Sequence, residues 1–207
     1  EAEGLRVAVL AQPDWHDAEA FRAMGRPRLG VFIGAGNLDS MVAHYTAAKR
    51  RRSEDFYSPG KRTGCRPDRA AIVYCNRARE AFGPDVPIIL GSLEASLRRF
   101  AHYDYWDDSV RRAILFDAPA DLLVYGMGEA ATIEIAHRLK KKQSVHTMTD
   151  IPGTGYITRD PSVCKFDHIT LPSYEDVRDD KRLYAEATRT EYAEHDPVRG
   201  RAMIQPC

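Results

Sequence analysis

The four cysteines of this chain, Cys65, Cys75, Cys164 and Cys207, fall into no CxxC or CxxxC spacing. Zinc and cluster sites draw thiolates from such close pairs, so a metal site built by this chain alone is not expected. Scattered single thiols suit a reducing compartment, and the cytoplasm is the expected location. Net charge is missing too: 30 Lys and Arg cancel 30 Asp and Glu. That balance gives no reason to expect nucleic acid or an acidic substrate as partner. No apolar run approaches the roughly 20 residues of a membrane span, so no membrane partner is expected. The start, EAEGLRVAVLAQPDW, lacks the basic segment and cleavage site of a signal peptide. It also lacks an initial Met and reaches an apolar stretch within a few residues, so it reads as a piece of a longer protein.

What is present suits a globular chain. Of 207 residues, 43% are apolar and 29% charged, enough for one large core. LRVAVLA (5–11), LGVFIG (29–34), VPIILG (86–91) and DLLVYG (121–126) are short, continuously apolar runs and predict buried strands. Helices are expected between them. One spans about 17–24, ended by Gly25 and Pro27. A second starts in AGNLDS, with Asn37 or Asp39 as cap and Met41, His44, Tyr45 and Ala48 on one face. A third covers 69–82, a fourth 107–116, and a fifth 126–141, opened by Gly128 and closed by a basic run. Residues 50–69 read as a polar loop of a length that is uncommon in compact domains and often functional.

Helices alternating with continuously apolar strands predict an α/β fold: a Rossmann-like, doubly wound, mainly parallel sheet. The sheet domain is expected over residues 1–145. Residues 146–207 are expected to form an irregular extension, with a short strand near IPGTGYITRD and a charged helix carrying Tyr184 and Tyr192.

Ligands of open α/β sheets sit beyond the carboxyl ends of the strands. Three glycine-bearing turns meet there. GAGNLDS contributes Gly34, Gly36, Asn37 and Asp39; GSLEASLRR contributes Glu94, Arg98 and Arg99; GMGE contributes Gly126, Gly128 and Glu129. The first is similar to a phosphate-cradling turn, in which backbone N–H groups at a helix start face an anion. Ser40 stands near the place of the third glycine of GxGxxG, and no acidic ribose-binding residue is evident, so plain strand-to-helix turns are the simpler reading. Glu94 and Glu129 are either an acid–base pair or, more simply, helix caps and partners of Arg98 or Arg99. FAHYDYWDDSVRR gathers His102, Tyr103, Asp104 and Trp106 between arginines. It fits a stacking site, a docking surface, or a core wall with polar tips at the surface. The cations KRRR (49–52), Lys61, Arg62, Arg66 and Arg69 either attract phosphate or form a solvated loop; Glu54, Asp55 and Asp68 interrupt them. RNA binding there would be salt-sensitive.

Five segments carry a resemblance: VAVLAQPDW, GNLDSMVAHYTAAKRRRSEDFYSPG, RPDRAAIVYCNRARE, VPIILGSLEASLRRFAHYDYWDDSVRR and LLVYGMGEAATIEIAHRL. Together, over roughly residues 4–160, they closely resemble the N-terminal region of the YgiQ-type radical SAM proteins. The resemblance implies a domain akin to the cobalamin-binding modules that precede other radical SAM domains. It also implies, further along the polypeptide, a CxxxCxxC loop holding a [4Fe-4S] cluster with S-adenosylmethionine on its open iron. Reductive cleavage there gives a 5′-deoxyadenosyl radical that abstracts hydrogen from a substrate. This chain has no CxxxCxxC, so neither cofactor is expected in it, and Cys207 is not assigned as a ligand. Against the resemblance, the family's first strand and its following glycine-rich turn are expected to be missing upstream. DxHxxG is absent as well, and His44, His102 and His137 stand outside such a context, so cobalamin binding is not implied.

The resemblance therefore implies an accessory domain, inactive alone, of an enzyme of unknown substrate. Its expected partner is the radical SAM domain of the same polypeptide, with the aromatic–arginine stretch lining that interface. The alternative is a standalone Rossmann-like module that binds a nucleotide or anion without catalysis.

Overall fold

A computed structural model describes residues 1–196 and 198–207. Pro197, inside the expected extension, lies outside the described residues. The elements in chain order are α1 (Glu19–Arg22), β1 (Val31–Gly34), α2 (Ser40–His44), α3 (Ala70–Phe82), β2 (Ile88–Gly91), α4 (Ser92–Leu97), β3 (His102–Asp104) and β4 (Ser109–Arg111). They continue with β5 (Leu122–Val124), α5 (Glu129–Lys140), β6 (Thr154–Gly155), β7 (His168–Thr170), α6 (Tyr174–Asp179), α7 (Lys181–Ala193) and β8 (Ala202–Ile204).

The main sheet has the order β1-β2-β5-β6. Its first three strands are parallel, and β6 runs antiparallel to β5. Both faces of β2 and β5 are covered, which is why those strands are apolar at every position, while β1 at the edge buries Ile33 and leaves Phe32 exposed. Ile33, Ile88, Leu90 and Leu123 pack with Ala70, Ala71, Ala78 and Phe82 of α3. Ile89, Leu122 and Val124 pack with Ala131, Ile135 and Leu139 of α5. Small buried residues along α3 let it approach the sheet closely. The result is a mixed α/β, Rossmann-like fold with a mainly parallel sheet, as the apolar runs predict.

Several local expectations fail for physical reasons. Residues 5–11 pair with no strand, and Val7 and Val9 are 56% and 78% exposed. Apolar composition alone does not make a strand; the backbone needs a neighbouring ladder. The expected helix at 107–116 is instead the β3–β4 hairpin followed by a single 3₁₀ turn. The Asp104 carboxylate accepts the N–H groups of Trp106 and Asp107 at 2.9 and 3.4 Å, and Asp108 has φ +50°. Such side-chain capture of local N–H groups competes with a helix and turns the chain. α2 stops at His44 because Tyr45 is extended and pairs across the loop with Arg51. The first expected helix shrinks to the single turn of α1.

The C-terminal part leans on the hairpin. Val177, Ala187, Tyr174 and Tyr184 pack on Ala101 and Val110. The Tyr103 N–H donates to the Tyr184 hydroxyl at 3.0 Å, and the Ala101 N–H donates to Gln205 Oε1 at 2.7 Å.

The long loop after α2 is held by a buried ion pair. Arg66 donates to both carboxylate oxygens of Asp55 at 2.9 Å. Burial pushes the Asp55 carboxyl up. The Ser58 hydroxyl, the Tyr57 N–H and Arg66 outweigh it and hold the group below the usual carboxylate range. A depressed folded value contributes stability that is present above the unfolded value of about 3.9 and lost as pH falls through the folded one. Asp55→Ala strands the buried Arg66 and is expected to cost roughly 3–5 kcal/mol in urea denaturation at neutral pH. The gap to the parent should shrink as pH falls below about 4. A variant as stable as the parent at pH 7 refutes this role for the pair.

Candidate functional site at the carboxyl edge of the sheet

The three expected turns do meet at the carboxyl edge. Gly34 and Gly91 are register partners at the ends of β1 and β2. A Cβ on Gly34 would stand 3.0 Å from Ser92 Cβ and 3.1 Å from Ser92 Oγ. Ser92 has φ +71°, and its hydroxyl accepts the Ala35 N–H at 3.1 Å. A strained non-glycine residue therefore clasps two strand ends; it carries no sequence motif and escapes sequence reasoning. Gly36 has φ +95° beside the exposed Asn37. Gly126 has φ +67°, and its N–H donates to Ser96 Oγ at 3.2 Å. Gly128 begins α5 where a Cβ would fall 2.5 Å from Val124 Cγ1.

The N–H groups of the first turn of α2, where a phosphate cradle would act, already have partners. Asp39 caps α2 by accepting from Met41 and Val42 at 2.9 and 3.2 Å. Glu94, 1% exposed, accepts the Ser40 N–H at 3.0 Å through one oxygen and the Ala71 N–H at 3.1 Å through the other. Ser40 Oγ accepts the Ala70 N–H at 3.0 Å. One buried carboxylate thus serves the first turns of two helices, where their dipoles favour negative charge. Arg98 donates to Asp39 Oδ2 and, at 3.2 Å, to the Glu94 carbonyl. Two carboxylates occupy the place an anion would take. Glu94 is a cap, and Glu129 stands exposed at the start of α5.

Asp104 organises the aromatic–arginine hairpin. It is 5% exposed and receives Arg69 at 2.8 Å and Arg111 at 3.5 Å. Burial pushes its carboxyl up, but the Arg69 guanidinium and the Trp106 N–H hold it below the usual range. His102 is half-buried, with Nδ1 3.1 Å from the Phe100 carbonyl. Burial lowers the pKa of its imidazole and favours the neutral ring. Arg69, Arg98, His102, Asp104 and Arg111 enclose no water-sized space, so the hairpin holds no pocket of its own. Its outer face carries Tyr103 and Tyr105, 47% and 45% exposed. Trp106 is half-buried, with its ring centroid 5.3 Å from that of Tyr45. Arg99 joins α4 to α7, 3.4 Å from Glu191 and 2.8 Å from His195 Nε2, with its guanidinium 5.3 Å from the Tyr125 ring.

Sequence reasoning misses a further, half-buried pair. His44 Nδ1 lies 2.7 Å from Asp68 Oδ1, and the Tyr45 hydroxyl donates to Asp68 Oδ2 at 2.7 Å. Asp68 looks like a mere interruption of a basic loop because its partners lie 23 and 24 positions away. Among the described residues, no three His, Cys, Asp or Glu side chains converge as a metal set. Burial pushes the Cys75 thiol up to about 12, so it stays protonated. An iron–sulfur cluster needs several thiolates together, and the residues of this chain do not fit one. No helix among the described residues is long and apolar enough to cross a membrane.

The model of the Radical SAM N-terminal family matches residues 1–207. The chain belongs to that family. Over 205 residues it is 52% identical to the UPF0313 protein of Clostridium botulinum (strain 657 / Type Ba4), covering 99% of this chain and 32% of that protein. It is 51% identical over 205 residues to the UPF0313 protein of Clostridium perfringens (strain SM101 / Type A), covering 99% of this chain and 31% of that protein. This radical SAM N-terminal chain therefore spans about a third of the length of the curated relatives it matches. No solved structure matches it.

Glu94→Ala leaves the Ser40 and Ala71 N–H groups without an acceptor. Denaturant titration is expected to show a loss of roughly 1–3 kcal/mol for each. Glu94→Gln keeps one acceptor oxygen and should lose about half as much. Equal losses for the two variants would show that charge, not acceptor count, sets the role of Glu94.

Proposed function

We propose that this radical SAM N-terminal chain is the accessory domain of a [4Fe-4S]-dependent enzyme of unknown substrate. The cluster and S-adenosylmethionine belong to a further domain of the same polypeptide. The observation that carries this reading is full-length membership of the family in a chain one third as long as its relatives. In this reading residues 1–145 carry the sheet domain, to which β6 (Thr154–Gly155) adds an edge strand, and the rest of 146–207 is the extension that leads toward the rest of the protein. The expected location is the cytoplasm.

The surface offered to that further domain is the carboxyl edge, with Glu94, Arg98 and His102 behind it. Leu93 and Leu97 lie four residues apart on α4, 41% and 60% exposed, and Met127 in the turn after β5 is 88% exposed. With Tyr103 and Tyr105 they form apolar and aromatic surface of the kind that anchors interfaces. The exposed ring faces of the hairpin favour docking over a core wall. The chain absent from this structure, about two thirds of the length of the relatives, is the occupant.

Anaerobic iron–sulfur reconstitution of the full-length protein beside the 207-residue chain tests the assignment. Cluster absorbance, iron content and S-adenosylmethionine cleavage are expected in the full-length protein alone. No cluster in either overturns the reading and leaves the nucleotide- or anion-binding module. Replacing Leu93 and Leu97 with Ser should leave the isolated chain within about 0.5 kcal/mol of its parent, because both side chains are already exposed there. The same change should lower cleavage in the full-length protein. Unchanged cleavage removes this surface from the interface.

A further inference from the structure

Beyond the end of β1, α2 and the loop after it wall a groove of about 510 Å³. Val42, Thr46, Arg50, Arg51, Arg52 and Phe56 are among its lining residues. That volume falls within the roughly 300–1,000 Å³ of small-molecule sites.

Its charge is one-sided. Of the two acids in the wall, Asp55 is held by Arg66, and Glu54 lies 3.9 Å from Lys61. Arg50, Arg51 and Arg52 make no ion pair among the described residues. Of the basic residues noted in the sequence, Arg66 and Arg69 are consumed by Asp55, Asp104 and Asp107, while these three are not.

The side chains of Arg51 and Arg52 and the backbone of Arg50 are also held in place. Arg52 Nε donates to the carbonyls of Val42 and Tyr45, each at 3.2 Å, which leaves its terminal nitrogens for another acceptor. The Arg51 guanidinium lies 5.9 Å from the Tyr45 ring, and its backbone bridges to Tyr45. The Arg50 N–H donates to Thr46 Oγ1 at 3.2 Å. Beside them Phe56 is 72% exposed, with Lys61 Nζ 4.9 Å from its ring centre. An exposed ring next to unpaired guanidinium groups offers stacking and charge together. Three arginines exceed what one carboxylate neutralises, whereas a phosphate monoester carries about −1.5 to −2 charges and several acceptor oxygens.

We propose that this groove binds a nucleoside phosphate, with the phosphate on Arg50, Arg51 and Arg52 and the planar base against Phe56. The site does not depend on the cluster-bearing domain. Its ligand is either a free nucleotide or one nucleotide of a single strand, which share this chemistry.

Calorimetric titration of the full-length protein at low salt with adenosine 5′-monophosphate, a single-stranded adenosine oligonucleotide and inorganic phosphate tests it. Saturable binding of the monophosphate is expected. Arg50→Ala and Arg51→Ala should each weaken it about tenfold, the scale of one lost charge-assisted contact. Both side chains are exposed, so folding is preserved; Arg52 is spared because it also holds the loop. Phe56→Ala should weaken the monophosphate and leave inorganic phosphate unchanged. An oligonucleotide that binds far more tightly, with the same losses, assigns the phosphate to a strand; equal affinity assigns it to the free nucleotide. No saturable binding of either nucleotide probe, or binding that ignores the arginine variants, overturns the proposal. S-adenosylmethionine cleavage by the same protein is read separately, so the two proposals fail independently.

Discussion

The arrangement at the carboxyl edge depends on one buried carboxylate. Glu94 leaves the central strand on α4 and ends against the first turns of α2 and α3. Neither helix start has a serine, threonine or asparagine placed to satisfy all of its open N–H groups. The shared cap supplies two of those bonds, Ser40 Oγ a third, and Asp39 the rest of the α2 start. Because each partner sits on a different element, the positions of α2, α3 and α4 are set together. Arg98 completes the knot by tying Asp39 to the end of α4. A cluster that looks in sequence like an anion cradle is filled from within.

A second carboxylate does similar work on the flank. Asp104 turns the chain locally through two N–H bonds, then gathers Arg69 from the start of α3 and Arg111 from β4. Its side chain is nearly enclosed while the aromatic rings next to it stay on the surface. The hairpin is therefore rigid inside and adhesive outside, a combination suited to a docking element. The C-terminal helices brace it from one side through Tyr184 and Val177.

The main sheet was legible because its strands are apolar throughout: IILG and LLV are buried on both faces, and VFIG, at the edge, keeps the same composition. α3 and α5 were legible because their small and apolar residues recur at helical spacing. The hairpin was not, since Val110 and Ile114 fit a helical spacing while the deciding force was an Asp104 bond to the backbone. VAVLA shows the opposite failure, strong strand composition with no neighbour to pair with. In the candidate site, sequence located the three turns but left the roles of Glu94 open, because a cap and an acid–base pair use the same residue. The links Arg69–Asp104 and His44–Asp68 span 35 and 24 positions, and no local pattern announces them.

One edge of the main sheet is bare. β1 is its outermost strand, Phe32 on that strand is 41% exposed, and Val7 and Val9 lie uncovered upstream. Natural proteins guard such edges with charge, proline or a covering segment, because an open ladder recruits other strands. VFIG offers none of these within itself. The chain should therefore be prone to self-association in concentrated solution through this edge. Oligomers seen with it would then pair strand to strand at β1.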